Sequence, residues 1–406
     1  MRPSRLSHAA AFIAAVIAMA LVSSAAAGSI SGRWSAVADV SGAQIPFRIA
    51  FAADGAAVQA HFFDGDRPTN PSSRGTFKDG HLHVSFPSYA AVLDATIADG
   101  KLEGTYATPG RVTPIHAVRR PAAGFAPAKA PSIQGEWIIP YNSAKGETAW
   151  RLIIRQKGPL AEASILRIDG DTGTLNGGFQ HGAFRLSHFA GERPALLEIT
   201  PQPDQTLKLV LVDLGGRREL SAVRAAAAAA LGAAPTDPTR HTGVKDPAQP
   251  FQFAFNDLTG RKVANTDAKF RHKVVLVDVM GSWCPNCHDE APFLQALYAR
   301  HRKDGLEIVA LDFEQPDQLA DPQRLRAFIQ RYGLSYTVLL AGDLKEVTAK
   351  IPQAANLNAW PTTFFVGRDG LVKSVHVGFT SPGSGPRDVE TRAAMEREMV
   401  TLLAQR

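Results

Sequence analysis

The chain has 406 residues, 45% hydrophobic and 20% charged, which is enough for two or three globular domains and argues against wholesale disorder. Its two cysteines, Cys284 and Cys287, exclude a disulfide-stapled scaffold and a Cys-rich zinc module, since one adjacent pair builds neither. The net charge of +6 does not mark a nucleic-acid binder: from Phe251 onward 19 basic residues face 18 acidic ones, as a solvated surface would.

Met1–Ser7 carries two arginines and no acid. Residues 9–22 form an apolar run, and Ser23-Ser24-Ala25-Ala26-Ala27 supplies small residues. A charged start, a short apolar middle and an Ala-x-Ala end are the pattern of a signal peptide over residues 1–27, and the run is short for a retained membrane anchor. The expected location is therefore the periplasm, where thiols tend to become oxidised.

Residues 28–125 and 130–224 read as two β-rich units. Ser29-Ile30-Ser31-Gly32-Arg33-Trp34 returns as Ser132-Ile133-Gln134-Gly135-Glu136-Trp137, and Gly75–Gly80 returns as Gly177–Gly182. Short alternating runs such as Phe47–Phe51 and Leu152–Arg155, with Asp-Gly pairs at 54–55, 79–80, 99–100 and 169–170, predict strands joined by tight turns. The expectation is two small sandwiches or open barrels, or one pseudo-symmetric structure built from both halves. His81 and His83 share one strand face, but their counterparts are Ala183 and Arg185, so a solvated face is expected there and no metal site. Residues 225–250 open with an alanine run and then carry four prolines in Pro235–Pro250, the composition of a semi-rigid connector.

From residue 251 to 406 strands and helices alternate, predicting an α/β sheet. Lys273–Val279 is a nearly unbroken apolar run, as for a strand buried on both faces. Helices are expected over Glu290–Arg302, Gln323–Tyr332, Asp343–Ile351 and Val389–Leu403. Strands are expected over Leu306–Phe313 and Tyr336–Leu340, with a closing hairpin over Thr362–Val366 and Val372–Phe379.

Trp283-Cys284-Pro285-Asn286-Cys287 lies where the first long strand gives way to a helix. A cysteine at a helix N-terminus faces unpaired N–H groups and the positive end of the dipole, which favour the thiolate. Pro285 suits the first turn because its missing N–H costs nothing there. Cys287, one turn on, can close a small disulfide ring with Cys284. Cys284 is then the exposed attacking thiol, and Cys287 the buried one that resolves the mixed disulfide. A buried thiol needs a proton acceptor, and Asp278, a carboxyl in an apolar strand, is the candidate. Asp289 and Glu290 fall in the expected first helical turn, where negative charge opposes a very low thiol pKa and points toward a reductant.

Val277-Asp278-Val279-Met280-Gly281-Ser282-Trp283-Cys284-Pro285-Asn286-Cys287, then Glu290-Ala291-Pro292, then Trp360-Pro361-Thr362-Thr363-Phe364-Phe365 and Asp369-Gly370 together resemble the TlpA/ResA-like thiol–disulfide oxidoreductases. The resemblance spans roughly residues 246–406 and implies a thioredoxin-like fold, a Cys284–Cys287 redox disulfide and no cofactor beyond it. It implies that Pro361 is cis and packs beside the cysteines. A client groove would be flanked by Trp283, Pro285, Trp360, Pro361 and Thr362, where the proline loop offers backbone groups. Glu290 would tune the cysteines, and Asp278 would match thioredoxin's buried aspartate, a position where many TlpA-like proteins carry asparagine. Implied partners are disulfide-bearing or thiol client proteins and a membrane thiol electron donor. Three other readings stand beside it: a thiol peroxidase of the same superfamily, covalent haem attachment at Cys284-x-x-Cys287-His288, and a binding protein acting through the β-rich units.

Overall fold

A computed structural model describes residues 30–69, 74–119 and 129–405. The expected signal segment lies outside the described residues. Among those described, no helix is long and apolar enough to cross a membrane.

Residues 32–118 form an antiparallel barrel. Eight strands (Gly32–Val40, Ala43–Asp54, Ala57–Asp64, Arg74–Lys78, His81–Phe86, Ala91–Ala98, Lys101–Thr108 and Arg111–Val118) each pair with the next. The ring closes where Ser35–Ala38 meets Ile115–Val118. Alternate residues point inward, so Leu82 and Val84 are buried while His81 and His83 are exposed, as the sequence pattern implies. Closure leaves few backbone groups unpaired at an edge, which is how a small all-β unit avoids exposing one.

A second barrel occupies residues 135–222, with strands Gly135–Pro140, Ala149–Lys157, Leu160–Arg167, Leu175–Gln180, Ala183–His188, Ala195–Pro201, Leu207–Asp213 and Gly216–Ala222. Reciprocal hydrogen bonds of 2.8 Å between Ile138 and Val223 close it. Each barrel buries a tryptophan whose indole N–H donates to the carbonyl four residues before it: Trp34 to Ile30 at 2.9 Å, Trp137 to Ile133 at 2.8 Å. Phe189, Leu196 and Val212 of the second barrel pack into the core of the first, so the two share a wall.

The proline-rich stretch breaks regular structure, as expected, but it is docked and does not hang free. Its alanine run is the helix Ala225–Ala230. The Pro238 carbonyl then accepts from Val377 N–H at 3.0 Å, and Gly243–Val244 pairs with Ala354–Ala355.

The C-terminal domain is a seven-stranded mixed sheet. In chain order its main elements are β1 (Ala254–Asp257), β2 (Lys262–Ala264), β3 (Val274–Met280), α1 (Pro285–His301), β4 (Leu306–Glu314), α2 (Gln323–Tyr332), β5 (Thr337–Asp343), α3 (Val347–Lys350), β6 (Thr362–Val366), β7 (Val372–Val377) and α4 (Pro386–Ala404). The strand order is β2-β1-β5-β4-β3-β6-β7, with β3, β4 and β5 parallel. All seven residues of β3 are buried. Val275, Val277 and Val279 face Phe251, Phe253, Phe270 and the short α3. Val274, Leu276 and Met280 face α1, α2 and α4. The long helices thus lie on one face, and loops with α3 cover the other.

The joint between second barrel and C-terminal domain turns on Asp171, whose carboxylate is fully buried. It accepts from Gly173 N–H at 2.9 Å, Ser381 N–H at 2.9 Å, Ser381 Oγ at 3.1 Å and Ser384 Oγ at 2.5 Å. Beside it, a Cβ on Gly170 would sit 2.1 Å from the Phe379 carbonyl, so only glycine lets the two domains touch there. Asp171→Ala leaves two buried N–H groups and two hydroxyls without their acceptor, a loss of about 3 kcal/mol. The expected outcome is protease cleavage within residues 225–250 under conditions that spare the wild type. Separate calorimetric transitions for barrels and C-terminal domain should accompany it.

Candidate active site

Strand β3 delivers Asp278 and then the turn Gly281-Ser282-Trp283 to the start of α1. Cys284 is the N-cap, Pro285 follows at the first helical position, and Cys287 N–H donates to Cys284 Sγ at 3.4 Å. Because the helix begins at Pro285, Asp289 and Glu290 lie beyond its first turn, not within it as the sequence pattern suggested. Both cysteines are thiols. The expected exposure of Cys284 is not found: it is 3% exposed, against 2% for Cys287. The cover comes partly from the proline loop, whose Trp360 carbonyl accepts from the Cys284 thiol at 3.7 Å, and partly from the second barrel.

The Trp360–Pro361 bond is cis, as the resemblance implies. Trp283 donates to the Phe313 carbonyl at 2.9 Å and meets Trp360 edge to face, ring centroids 5.8 Å apart. Two groove expectations need correction. Thr362 is wholly buried and its hydroxyl donates to the Ala359 carbonyl at 2.8 Å, because it begins central strand β6. The Pro361 carbonyl accepts from Gly378 N–H at 2.7 Å and so is not open to a client strand.

Behind the cysteines lie two buried carboxyls. Asp278 occupies the helix-facing side of β3 and its Oδ1 has no hydrogen-bond partner; Glu290 is 1% exposed, with Oε1 accepting from Thr363 at 2.8 Å and Oε2 unpartnered. Burial, and then the neighbouring Glu290, hold Asp278 well above the carboxylate range. Burial pushes Glu290 up to about 8, against the Thr363 hydrogen bond. Burial likewise raises the Cys287 thiol, reinforced by Cys284 and by Asp278. Thr363, which the sequence did not single out, thus orients the glutamate the sequence did.

His288 follows Cys287 but is spent structurally. Its Nε2–H donates to the Ser282 carbonyl and its Nδ1 accepts from the Tyr332 hydroxyl, each at 2.9 Å. Its ring packs 4.3 Å from Tyr89, which the first barrel supplies. Burial keeps it neutral. Both nitrogens are occupied, so the haem-attachment reading loses its axial ligand.

The second barrel grips the dipeptide between the cysteines. Asn286 Nδ2 donates to the Asp169 carbonyl at 2.6 Å, and Asn286 Oδ1 accepts from Arg193 at 2.7 Å. Arg193 also donates to Asp289 at 2.9 Å. Burial lifts Asp289 to about 6, against the pull of Arg193. No sequence signal pointed to Arg193 or Asp169, because they lie 93 and 117 residues from Asn286. Between barrel and helix remains a cleft of about 340 Å³, bounded by Trp283, Cys284, Pro285, Asn286 and Trp360 on one side and by charged barrel residues on the other.

Comparison with known proteins agrees with this geometry. Residues 244–375 match the AhpC/TSA family. The C-terminal domain is a TlpA/ResA-like redoxin. A relative from Geobacillus thermodenitrificans, thiol-disulfide oxidoreductase ResA, is 30% identical over 126 residues, which are 31% of this chain and 66% of the relative. The thioredoxin-like protein YneN of Bacillus subtilis is 29% identical over 139 residues, 34% of this chain and 75% of the relative. A solved structure, a putative thiol:disulfide interchange protein DsbE from Chlorobium tepidum, is 25% identical, covers 39% of this chain and 99% of its own, and superposes with a TM-score of 0.32. These matches concern the redoxin domain.

The two raised carboxyls predict a pH signature. An acid whose folded pKa lies above its unfolded value supports the fold fully below about pH 4, and that support is lost as pH rises toward the folded value. Asp278→Asn removes this loss, so the variant should match the wild type in acid and become progressively more stable than it from about pH 4 upward, levelling off in alkali. Its resolving step should slow by about a hundredfold, the usual worth of a placed proton acceptor. Urea titrations at several pH values and stopped-flow release of client thiol read the two effects; a variant less stable than wild type at pH 8 contradicts the assignment.

Proposed function

We propose that the protein is an exported thiol–disulfide oxidoreductase that reduces disulfides in periplasmic client proteins. The reading is carried by one observation: Cys284 caps a helix beside a cis-proline loop, with Cys287 one turn on and two protonatable carboxyls buried behind. The relatives' names support the reaction class.

The thiolate of Cys284 attacks a client disulfide, forming a mixed disulfide and releasing one client sulfur, which takes up a proton. Cys287 gives its proton to the Asp278–Glu290 pair and attacks Cys284 Sγ. The second client thiol leaves with a proton, and two electrons have passed from the cysteine pair to the client. A carboxyl held near 8 is matched to a thiol as proton acceptor. A membrane thiol donor returns the pair to the dithiol. Electrostatics supports this direction: burial and the neighbouring carboxyl disfavour a Cys287 thiolate, which weakens the oxidising character of the disulfide. The apolar run at residues 9–22 supports export, and the two barrels are read as copies of one unit that together cover the redox site.

The expected outcome in a disulfide-reduction assay is loss of activity by about a thousandfold or more in Cys284→Ser. Cys287→Ser should trap a stoichiometric mixed disulfide with the client, visible by mass. Hydrogen peroxide with the same dithiol reductant should turn over more slowly than the disulfide; faster peroxide turnover would favour the peroxidase reading, and full activity in Cys284→Ser would end the oxidoreductase one.

A further inference from the structure

The cleft over Cys284 has one wall from the redoxin domain and one from the second barrel, and the charges on the barrel wall are unevenly matched. Lys145 pairs with Asp169 at 2.6 Å. Arg193 is committed to Asn286 and Asp289. Arg167 and Arg218, however, share a single oxygen, Asp213 Oδ2, at 3.3 and 2.5 Å. Two guanidiniums on one carboxylate concentrate positive charge at this end of a partly desolvated cleft, while Asp171, the remaining acid of the wall, lies 3.7 Å from Arg193. Each of the two also retains a buried Nε–H with no acceptor. Both arginines are held in place by the face of Trp150, at 4.8 and 5.9 Å from its centroid. Fixed, unspent guanidinium donors are suited to a planar anion, a carboxylate above all. The opposite wall is aromatic, with Trp283 and Trp360 beside the reactive sulfur.

We propose that this cleft recognises an acidic client segment: a disulfide whose cysteine is flanked by a carboxylate side chain, received by Arg167 and Arg218 while the sulfur meets Cys284. The proposal rests on the redox reading above. It makes the second barrel the specificity element of the enzyme, choosing among clients by charge. The chemistry is unchanged: the two thiols of the protein become its disulfide and the client disulfide becomes two thiols.

The test uses the full chain, fully reduced, and follows its oxidation by tryptophan fluorescence with three symmetric peptide disulfides that differ only in carrying Glu, Gln or Lys beside each cysteine. A small neutral disulfide, 2-hydroxyethyl disulfide, is the reference. The expected order of second-order rates is Glu, Gln, Lys, with a Glu-to-Lys ratio of about tenfold at low salt that falls as ionic strength rises. The ratio should collapse toward unity in Arg167→Gln/Arg218→Gln. It should increase in Asp213→Asn, which frees a further positive charge, so a folding defect in one variant cannot mimic the pattern. Arg261→Gln, which removes a charge from a remote exposed hairpin, should leave the ratio unaltered. Equal Glu and Lys rates in the wild type, or a ratio indifferent to all three cleft substitutions, overturn the proposal. If 2-hydroxyethyl disulfide oxidises the protein and no peptide does, the cleft assignment fails and the redox reading stands; if nothing oxidises it, both fail.

Discussion

The arrangement of this molecule depends on two hydrogen bonds to one side chain. Asn286 sits between the two cysteines, and both ends of its amide are taken by the second barrel, through the Asp169 carbonyl and the Arg193 guanidinium. An amide held at both ends fixes the start of α1, and with it the geometry of the reactive pair. The same contact brings the barrel across the cleft from Cys284. A thiol at a helix N-terminus is ordinarily open to solvent so that a partner can reach it; here access runs through a cleft whose far wall belongs to another domain.

Electrostatics divides the site into two compartments. On the barrel side, cations and carboxylates meet directly: Arg193 bridges the helix start to Asp289, and Arg167 and Arg218 share Asp213. On the sheet side, Asp278 and Glu290 are buried with unsatisfied oxygens, and no cation makes an ion pair with either among the described residues. An unpaired buried carboxyl is expensive to the fold, so its presence in the apolar face of β3 is a local conflict that packing does not explain. Proton transfer to and from Cys287, as proposed above, would give the pair a purpose. The conflict is confined to the place where chemistry needs it.

Much of the redoxin domain was legible because its signals are local. The apolar run of β3 gave away a strand buried on both faces, and Cys284-Pro285-Asn286-Cys287 at a strand-to-helix junction carries its own mechanism. Asp278 stood out as a charge in the wrong company. What was not legible is what depends on distant partners. No local pattern reveals that Cys284 is buried, because its cover lies 76 residues on in the proline loop and some 90 to 120 residues back in the second barrel. Thr362 looked like part of a groove because the motif carries it there, whereas its position as the first residue of a central strand buries it. Strand alternation and Asp-Gly turns announced β structure in residues 28–224, but barrel closure is a pairing of first and last strands that no local pattern encodes. The positions of Arg193 and Asp169 follow from that closure.

Asp171 and the two serines it binds are separated by 210 and 213 residues. Contacts of such long separation form late, and domains nearer the N-terminus tend to fold first during synthesis. Every strand pairing of the two barrels lies within residues 32–222, so both can close without Ser381 or Ser384. The wall that faces the cysteines is thus a unit whose own strand pairing needs nothing from the domain it covers.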